Sequence, residues 1–131
     1  MGLFKRTKAE QPVVRFAVNL SQDKKVDVLF TPSIFGVAQK RGIVITSCEQ
    51  TAYGVITTYA DILFCAACNC WELSGNKMED APFTRLDFHT FHAENPQEFK
   101  RVAELALKAF AHVVASIEAL TKREEEKTAN K

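Results

Sequence analysis

The stretch of sequence that decides the fold is residues 51–73, TAYGVITTYADILFCAACNCWEL. It holds three of the chain's four cysteines and only two charged residues, Asp61 and Glu72. The rest of the stretch is mostly apolar and, on a helix of 3.6 residues per turn, covers almost the whole surface, which predicts a helix buried on most sides. The polar positions are three or four residues apart and form one narrow stripe, namely Thr58, Asp61, Cys65, Asn69 and Glu72.

The same stretch is about as long as a membrane-spanning helix. A charge at Asp61, near its midpoint, costs roughly 2.5–3.5 kcal/mol on insertion scales, and the leucines and isoleucines are too few to offset it. Neither flank carries a basic cluster: Ser47 and Glu49 lie on one side, Gly75 and Asn76 on the other. We therefore expect no membrane span and a helix enclosed by protein.

A second alternative for this stretch is a metal site built on its cysteines. On a continuous helix Cys68 and Cys70 point to nearly opposite faces, so three thiolates would meet at one ion only if the helix broke. A structural zinc site also needs four converging ligands. The preferred interpretation is that the thiols are small buried hydrophobes. Metal binding stays as the alternative, with ligands drawn from Cys65, Cys68, Cys70, His89 and His92, and with Cys48 as a further candidate.

Composition favours one domain that works in the cytoplasm. The chain of 131 residues is 47% hydrophobic and contains ten phenylalanines, which suits a single core. Its net charge of +1 argues against nucleic-acid binding. Residues 1–12 lack the apolar segment of a secretory signal, and four cysteines then suggest free thiols in a reducing compartment. We expect a flexible lead-in over residues 1–12, a globular domain over 13–121, and a charged, frayed tail over 122–131.

Two short alternating stretches predict an N-terminal β-hairpin. Apolar and polar residues alternate over 14–20 and over 26–30, with a polar turn between them. A lone hairpin is marginal in water, so it must pack on the helices. Thr31 as N-cap and Pro32 at the first position predict a helix over 32–40 that Gly42 ends. Residues 43–45 fit either a third strand or an extended connector.

Capping signals predict three more helices. Ser47 and Gln50 form a capping box that opens the central helix, and Thr84 caps a short helix. Asn95 and Pro96, followed by an acidic third residue, open a long last helix. Its apolar stripe is Phe99, Val102, Ala106, Phe110, Val113, Ile117 and Leu120. The predicted fold class is α+β, mainly α: an N-terminal hairpin followed by a small helical bundle with one long central and one long C-terminal helix.

The sequence contains no recognisable catalytic constellation. It has no glycine-rich phosphate loop, no G-x-S-x-G, no H-E-x-x-H and no paired carboxylates. His89 and His92 share a helical face and could hold a metal or shuttle a proton, although surface histidines are the commoner outcome. Asp61 either has a raised pKa through burial or marks the one wet edge of the central helix. We expect no catalytic residue, no cofactor and no enzymatic activity, and hence a protein that acts through its surfaces.

The order of elements resembles that of the tail assembly chaperones of long-tailed bacteriophages, which are small and mostly helical. The shared pattern is a hairpin that runs straight into a helix, a break at Gly42-Ile43, a long apolar helix, the segment 83–87, and a final helix opened by 95–98. It covers residue 13 to about residue 120 and includes no diagnostic motif. The cysteines of residues 65–70 are not a feature of that family, and they keep the metal alternative open.

This resemblance implies a cytoplasmic protein, in the host cytoplasm if viral, that binds the tape measure protein and helps to recruit tail tube subunits. Family members coat the long apolar helices of the tape measure protein and tend to form homo-oligomers, and none of their residues is catalytic. A helix-in-groove mode would suit such binding. The candidate contact residues, each of which would also suit the domain's own core, are Phe99, Val102, Phe110, Val113, Ile34 and Phe35.

Two other functions remain as alternatives to this interpretation. One is a Cys/His metal-binding regulatory protein with zinc or an iron–sulfur cluster. The other is a structural or enzyme-accessory subunit with no activity of its own.

Overall fold

The structure, a computed structural model, describes residues 13–45 and 52–129, with side chains over 13–45 and 54–122. This part of the chain confirms the predicted class, α+β and mainly α, because a two-stranded hairpin precedes a set of helices. The predicted capping box at Ser47 lies outside the described residues. The elements, in order, are β1 (Arg15–Ser21), β2 (Lys24–Leu29), α1 (Ile34–Lys40), α2 (Ala52–Leu73), a 3-10 turn (Met78–Asp80), α3 (Arg85–Glu94) and α4 (Pro96–Ala129).

The N-terminal hairpin has the predicted alternation. Its strands are antiparallel, with Phe16 opposite Val28 and Val18 opposite Val26, and the pairing becomes irregular between Asn19 and Ser21. One face of the hairpin is buried against the helices, as its marginal stability alone requires. The buried side chains of that face and of the exit from β2 are Val18, Leu20, Val26, Val28 and Phe30.

Helix α1 begins at Ile34, two residues after the predicted start at Pro32. The N–H of Ile34 donates to the carbonyl of Thr31 at 3.0 Å, so Thr31 and Pro32 form a turn that precedes the helix. The Thr31 hydroxyl accepts a hydrogen bond from the side-chain amide of Asn69 at 2.9 Å. The prediction that Thr31 caps the helix was therefore wrong, because a residue far along the chain occupies its hydroxyl.

The end of α1 follows the prediction. Gly42 has a φ of 69°, in the left-handed region that favours glycine. The next N–H, that of Ile43, donates back to the carbonyl of Ala38 at 2.8 Å, which closes the helix end. Residues 43–45 do not form the third strand that was one of the two predicted alternatives, since the sheet in the described part of the chain has only two strands. The side chain of Ile43 is buried in the core.

Helix α2 is the central element of the fold. It is unbroken from Ala52 to Leu73, and nine consecutive residues, 62–70, are buried. It packs against β2, α1, α3 and α4. Among the described residues, Gly54–Leu73 is the one helical segment long and apolar enough to cross a membrane, a test that the core helix of a soluble protein also passes. The predicted unbroken helix is confirmed, and its residues 62–70 are enclosed by protein.

Helices α3 and α4 complete the core with aromatic side chains. Thr84 caps α3, as predicted, and the structure adds that it does so in a capping box with Asp87. The rings of Phe83, Phe88 and Phe91 form a series of edge contacts, with centroids 5.9 and 6.3 Å apart between neighbours. Helix α4 begins at Pro96, as predicted, and its backbone is helical to Ala129, through most of the segment expected to fray.

The start of α4 is also bound to the hairpin, which the sequence did not predict. Glu98 was expected to act as the acidic third residue of a capping motif on Asn95. Instead, its carboxylate accepts hydrogen bonds from the backbone N–H of Asn19, at 2.8 Å, and from the guanidinium of Arg101, at 2.7 Å. That arrangement ties β1 to the first turn of α4.

Candidate protein-binding surface

The structure divides the six predicted contact residues into two groups. Val102, Val113 and Ile34 are at most 1% exposed, so they pack the interior of the domain and do not form an open surface. The physical reason is that these three side chains belong to the buried core cluster, which also contains side chains of the hairpin, α2 and α3. The other three, which pack only partly against that core, are Phe99, Phe110 and Phe35.

The apolar stripe of α4 extends beyond the residues that cover it. Val102, Ala106, Ala109 and Val113 are at most 1% exposed. One turn further on, the stripe reaches Ile117, which is half-buried, and then Leu120, which is 57% exposed. Within the described residues, the same face of one helix thus changes from core to surface along its length.

A shallow groove lies beside the uncovered part of this stripe. It has a volume of about 300 Å³ and is lined by Phe35 of α1 and by Val114, Ile117 and Glu118 of α4. The ring of Phe35 contacts the ring of Phe110, with centroids 5.6 Å apart and planes tilted by 51°. We call this region the distal surface; its residues are Phe35, Phe110, Val114, Ile117 and Leu120.

The distal surface offers hydrophobic contact area rather than reactive groups. Its defining residues are aliphatic and aromatic, and Glu118 is the charged residue that lines the groove. An apolar groove between two helices is the geometry by which proteins accept the apolar face of a partner helix. Sequence analysis identified Phe35 and Phe110 but not Val114, Ile117 and Leu120 as contact residues. The sequence did contain a signal for Ile117 and Leu120, because the apolar stripe of α4 has seven residues and these two are its last.

Asp61 forms an ion-pair cluster that joins α2 to α3. Its two carboxylate oxygens accept hydrogen bonds from the Arg85 guanidinium at 2.8 and 3.0 Å, and Nε2 of His89 lies 2.7 Å from one of them. Burial alone would raise the pKa of Asp61, but hydrogen bonds and charges from Arg85 and His89 outweigh it and hold that pKa below its usual value. The sequence offered either a raised pKa or a solvent-facing edge at Asp61. The structure shows neither, because the carboxylate is paired with Arg85 and only 16% exposed.

The cysteine next to this cluster on α2 does not carry an activated thiol. Cys65 lies one helical turn beyond Asp61, and burial raises the pKa of its thiol to about 12. Burial likewise raises the pKa of Cys68 to about 11. Both thiols are therefore protonated at neutral pH, and it is the thiolate that attacks or binds a metal. The cluster joins α2 to α3 through hydrogen bonds and opposite charges.

The structure does not bring the alternative metal ligands together. Cys65, Cys68 and Cys70 are free, buried thiols spread around an unbroken helix. His89 is bonded to Asp61, while the ring of His92 packs against Phe99 with centroids 5.8 Å apart. In the described part of the chain, no group of three or more His, Cys, Asp or Glu side chains is placed to hold a metal ion. The further candidate, Cys48, lies outside that part.

Asn69 is a structural polar residue whose role the sequence did not indicate. Asn69 is 1% exposed, although its place on the polar stripe of the central helix suggested a position at the surface. Its side-chain amide donates to the carbonyl of Leu29 and to the Thr31 hydroxyl, both at 2.9 Å, and its oxygen accepts from Ser33 at 2.6 Å. Asn69 therefore fixes the passage from β2 to α1 against the central helix.

We compared the chain with protein-family models, with curated proteins and with solved structures, and none of the three comparisons found a match.

Proposed function

We propose that this protein is a non-enzymatic assembly chaperone that binds an apolar helical segment of a partner protein through the distal surface. The observation that carries the proposal is the change in exposure along α4: Val113 is 1% exposed, whereas Leu120, on the same stripe two turns later, is 57% exposed. An apolar stripe that continues past its own core leaves hydrophobic area for another chain to cover.

The size of the expected effect follows from hydrophobic burial. Fully burying a leucine, valine or phenylalanine side chain contributes roughly 1.5–3 kcal/mol. A few such anchors dominate most interfaces, and the remaining contacts mainly exclude water. The distal surface supplies three apolar residues that line the groove, Phe35, Val114 and Ile117, and the ring of Phe110 packs against that of Phe35. A partner helix with apolar residues at intervals of three and four would match them.

The partner that we propose, by resemblance to phage tail assembly chaperones, is a tape measure protein. Its long apolar helices need cover before the tail tube forms around them, and the chaperone would provide that cover in the host cytoplasm and help to bring tube subunits. Without its partner, a second copy of the chain would shield the same surface, so we also propose a homo-oligomer.

The test is co-expression with a candidate tape measure protein. We expect the wild-type chain to co-purify with it and to raise its soluble fraction. Leu120→Glu places a charge in the distal surface at a position already exposed, so it should fold normally and lose the partner. Gln97→Glu adds the same charge at an exposed position of the first turn of α4 and should retain it.

Two results would overturn the proposal. One is a wild-type chain that neither co-purifies with the tape measure protein nor changes its solubility. The other is a Leu120→Glu variant that is folded by circular dichroism and binds as well as the Gln97→Glu control.

A further inference from the structure

The two edges of the hairpin differ in what covers them. The N–H of Phe30 donates to the carbonyl of Val14 at 2.8 Å, which makes this a hydrogen-bonded pair. Such pairs alternate with non-hydrogen-bonded pairs along antiparallel strands, so the next ones are Phe16 with Val28 and Val18 with Val26. The backbone groups of the intervening residues point away from the partner strand. On β2 these residues are Lys25, Asp27 and Leu29.

The outer edge of β1 is covered by side chains from α4 and from the residue before it. The N–H of Asn19 donates to Glu98 at 2.8 Å, and Arg101 donates to the carbonyl of Ala17 at 3.0 Å. The side chain of Asn95 donates to the carbonyl of Asn19 at 3.4 Å. Proteins cover exposed strand edges in this way because an open edge is a template for another strand.

The outer edge of β2 is covered at one end only. Asn69 donates to the carbonyl of Leu29 at 2.9 Å. Further along the strand, the outward backbone groups of Lys25 and Asp27 have no partner within the described residues. These two residues offer two N–H donors and two carbonyl acceptors at an open edge.

A groove of about 440 Å³ runs beside this open edge. Lys25, Val26 and Asp27 form one side of it. Trp71 and Phe83 give the groove an aromatic lining, to which Cys70 adds apolar area and Ser74 and Asn76 add polar groups. The Trp71 indole is held in place by a hydrogen bond to the carbonyl of Lys77 at 2.7 Å. An open edge beside an apolar groove provides both parts of strand addition: backbone hydrogen bonds for affinity and pockets for alternate side chains.

We infer that the open edge of β2 binds an extended, acidic–apolar segment of a partner protein, which adds a third strand to the hairpin. Side chains on one face of a strand repeat every second residue, about 6.8 Å apart, so apolar residues at alternate positions would enter the groove. The inference uses β2 and the end of α2, and does not rest on the proposed function of the distal surface.

Charge complementarity specifies the acidic character of this segment. Lys25 makes no ion pair with any described residue, whereas its neighbour Lys24 is bonded to Asp87 at 3.2 Å. Arg15, which also lines the groove, faces Asp27 at 3.7 Å, with both side chains more than half exposed. An exposed pair of this kind contributes little and is easily exchanged. A carboxylate on the added strand would therefore meet Lys25 without displacing a strong interaction.

The experiment uses an array of synthetic peptides in which valine alternates with one other residue type. We expect the full chain to bind the peptides that alternate valine with glutamate or aspartate, and not those with lysine or arginine. Trp71 is the only tryptophan of the chain and lines the groove, so its fluorescence should shift when the best acidic peptide is added in solution.

The decisive variant is Asp27→Pro, compared with Asp27→Asn. Proline removes the outward N–H but no bond of the hairpin, since Asp27 lies opposite Ala17 in a non-hydrogen-bonded pair. Asparagine removes the same charge and keeps the N–H. We expect Asp27→Pro to bind the acidic peptide about tenfold more weakly than Asp27→Asn, as loss of a buried hydrogen bond implies. Lys25→Glu, which leaves the backbone intact, should transfer the preference to basic peptides.

The proposal is overturned if no peptide binds, if basic and acidic peptides bind equally well, or if Asp27→Pro folds and binds as tightly as Asp27→Asn. A dimer of the free chain that Asp27→Pro dissociates would assign the edge to a second copy and would also overturn it. Leu120→Glu should leave peptide binding unchanged, so failure at this edge is distinguishable from failure of the distal surface.

Discussion

Asp61 is one carboxylate that connects two helices. It accepts hydrogen bonds from Arg85 and is paired with His89, and these partners hold its pKa below the usual value despite burial. A carboxyl whose pKa is lower in the folded protein binds protons more readily in the unfolded chain. Its contribution to stability is therefore complete above the unfolded pKa of about 4, and is lost as pH falls through the folded pKa.

We predict that Asp61→Asn lowers the free energy of unfolding by about 1–2 kcal/mol at neutral pH. The expected loss is no larger because Arg85 is half-exposed and solvent weakens its ion pair with Asp61. The loss should shrink toward acid pH, because the wild-type advantage disappears there. Urea unfolding from neutral pH to about pH 3 measures both. Asp23→Asn, in the exposed hairpin turn, is the control, and an equal loss at every pH for Asp61→Asn would contradict the assignment.

Asn69 provides a second residue-scale prediction. Its side chain makes three hydrogen bonds in the core, to Leu29, Thr31 and Ser33. Asn69→Leu keeps the volume but removes three hydrogen bonds of a buried side chain, so we expect a loss of about 2–3 kcal/mol in chemical unfolding. Asn76→Leu, at an exposed position after α2, is the control and should change stability little. A loss at Asn69 no larger than in this control would show that the network contributes nothing.

At the scale of elements, α3 depends on its capping box. The N–H of Asp87 donates to the Thr84 hydroxyl at 3.3 Å, and the Thr84 N–H donates to the Asp87 carboxylate at 2.8 Å. We predict that Thr84→Ala lowers the free energy of unfolding by about 1 kcal/mol, the usual value for a lost N-cap. Thr84→Ser keeps the hydroxyl and should therefore retain most of the stability that Thr84→Ala loses. Thermal unfolding that fails to separate alanine from serine would contradict this role.

Local sequence signals predicted most elements, and their failures share one cause. Alternation identified β1 and β2, and capping residues identified the starts of α3 and α4, because both signals involve residues only a few positions apart. The predicted start of α1 was wrong because the Thr31 hydroxyl accepts a hydrogen bond from Asn69, which is 38 residues further along the chain. The role of Glu98 was missed for the same reason, since its partner Asn19 is 79 residues away.

The candidate site was predictable only in part. The spacing of apolar residues on α4 identified the stripe. It did not show at which residue the core stops covering that stripe. Val102 and Val113 were expected to contact a partner and are buried, whereas Ile117 lines the open groove and Leu120 continues the stripe as an exposed residue. Whether a residue of this stripe is buried or exposed depends on how far the core extends along α4. That extent is a property of tertiary packing rather than of the helix itself.

At the scale of the whole molecule, the polar interactions and the apolar surfaces have separate tasks. Ion pairs and buried amides fix the helices and one edge of the hairpin, through Asp61, Asn69 and Glu98. The distal surface and the outer edge of β2 remain open in the described part of the chain. The proposed binding of other chains uses these two open surfaces and none of the polar interactions that join the elements.

The central claim is that a partner binds at the distal surface, and hydrogen exchange of the complex with a tape measure protein tests it most directly. Compared with the free chain, we predict slower amide exchange over residues 110–120 of α4 and around Phe35 of α1, with little change over residues 62–70 of α2. Slower exchange confined to other elements, with residues 110–120 unaltered, would contradict the claim.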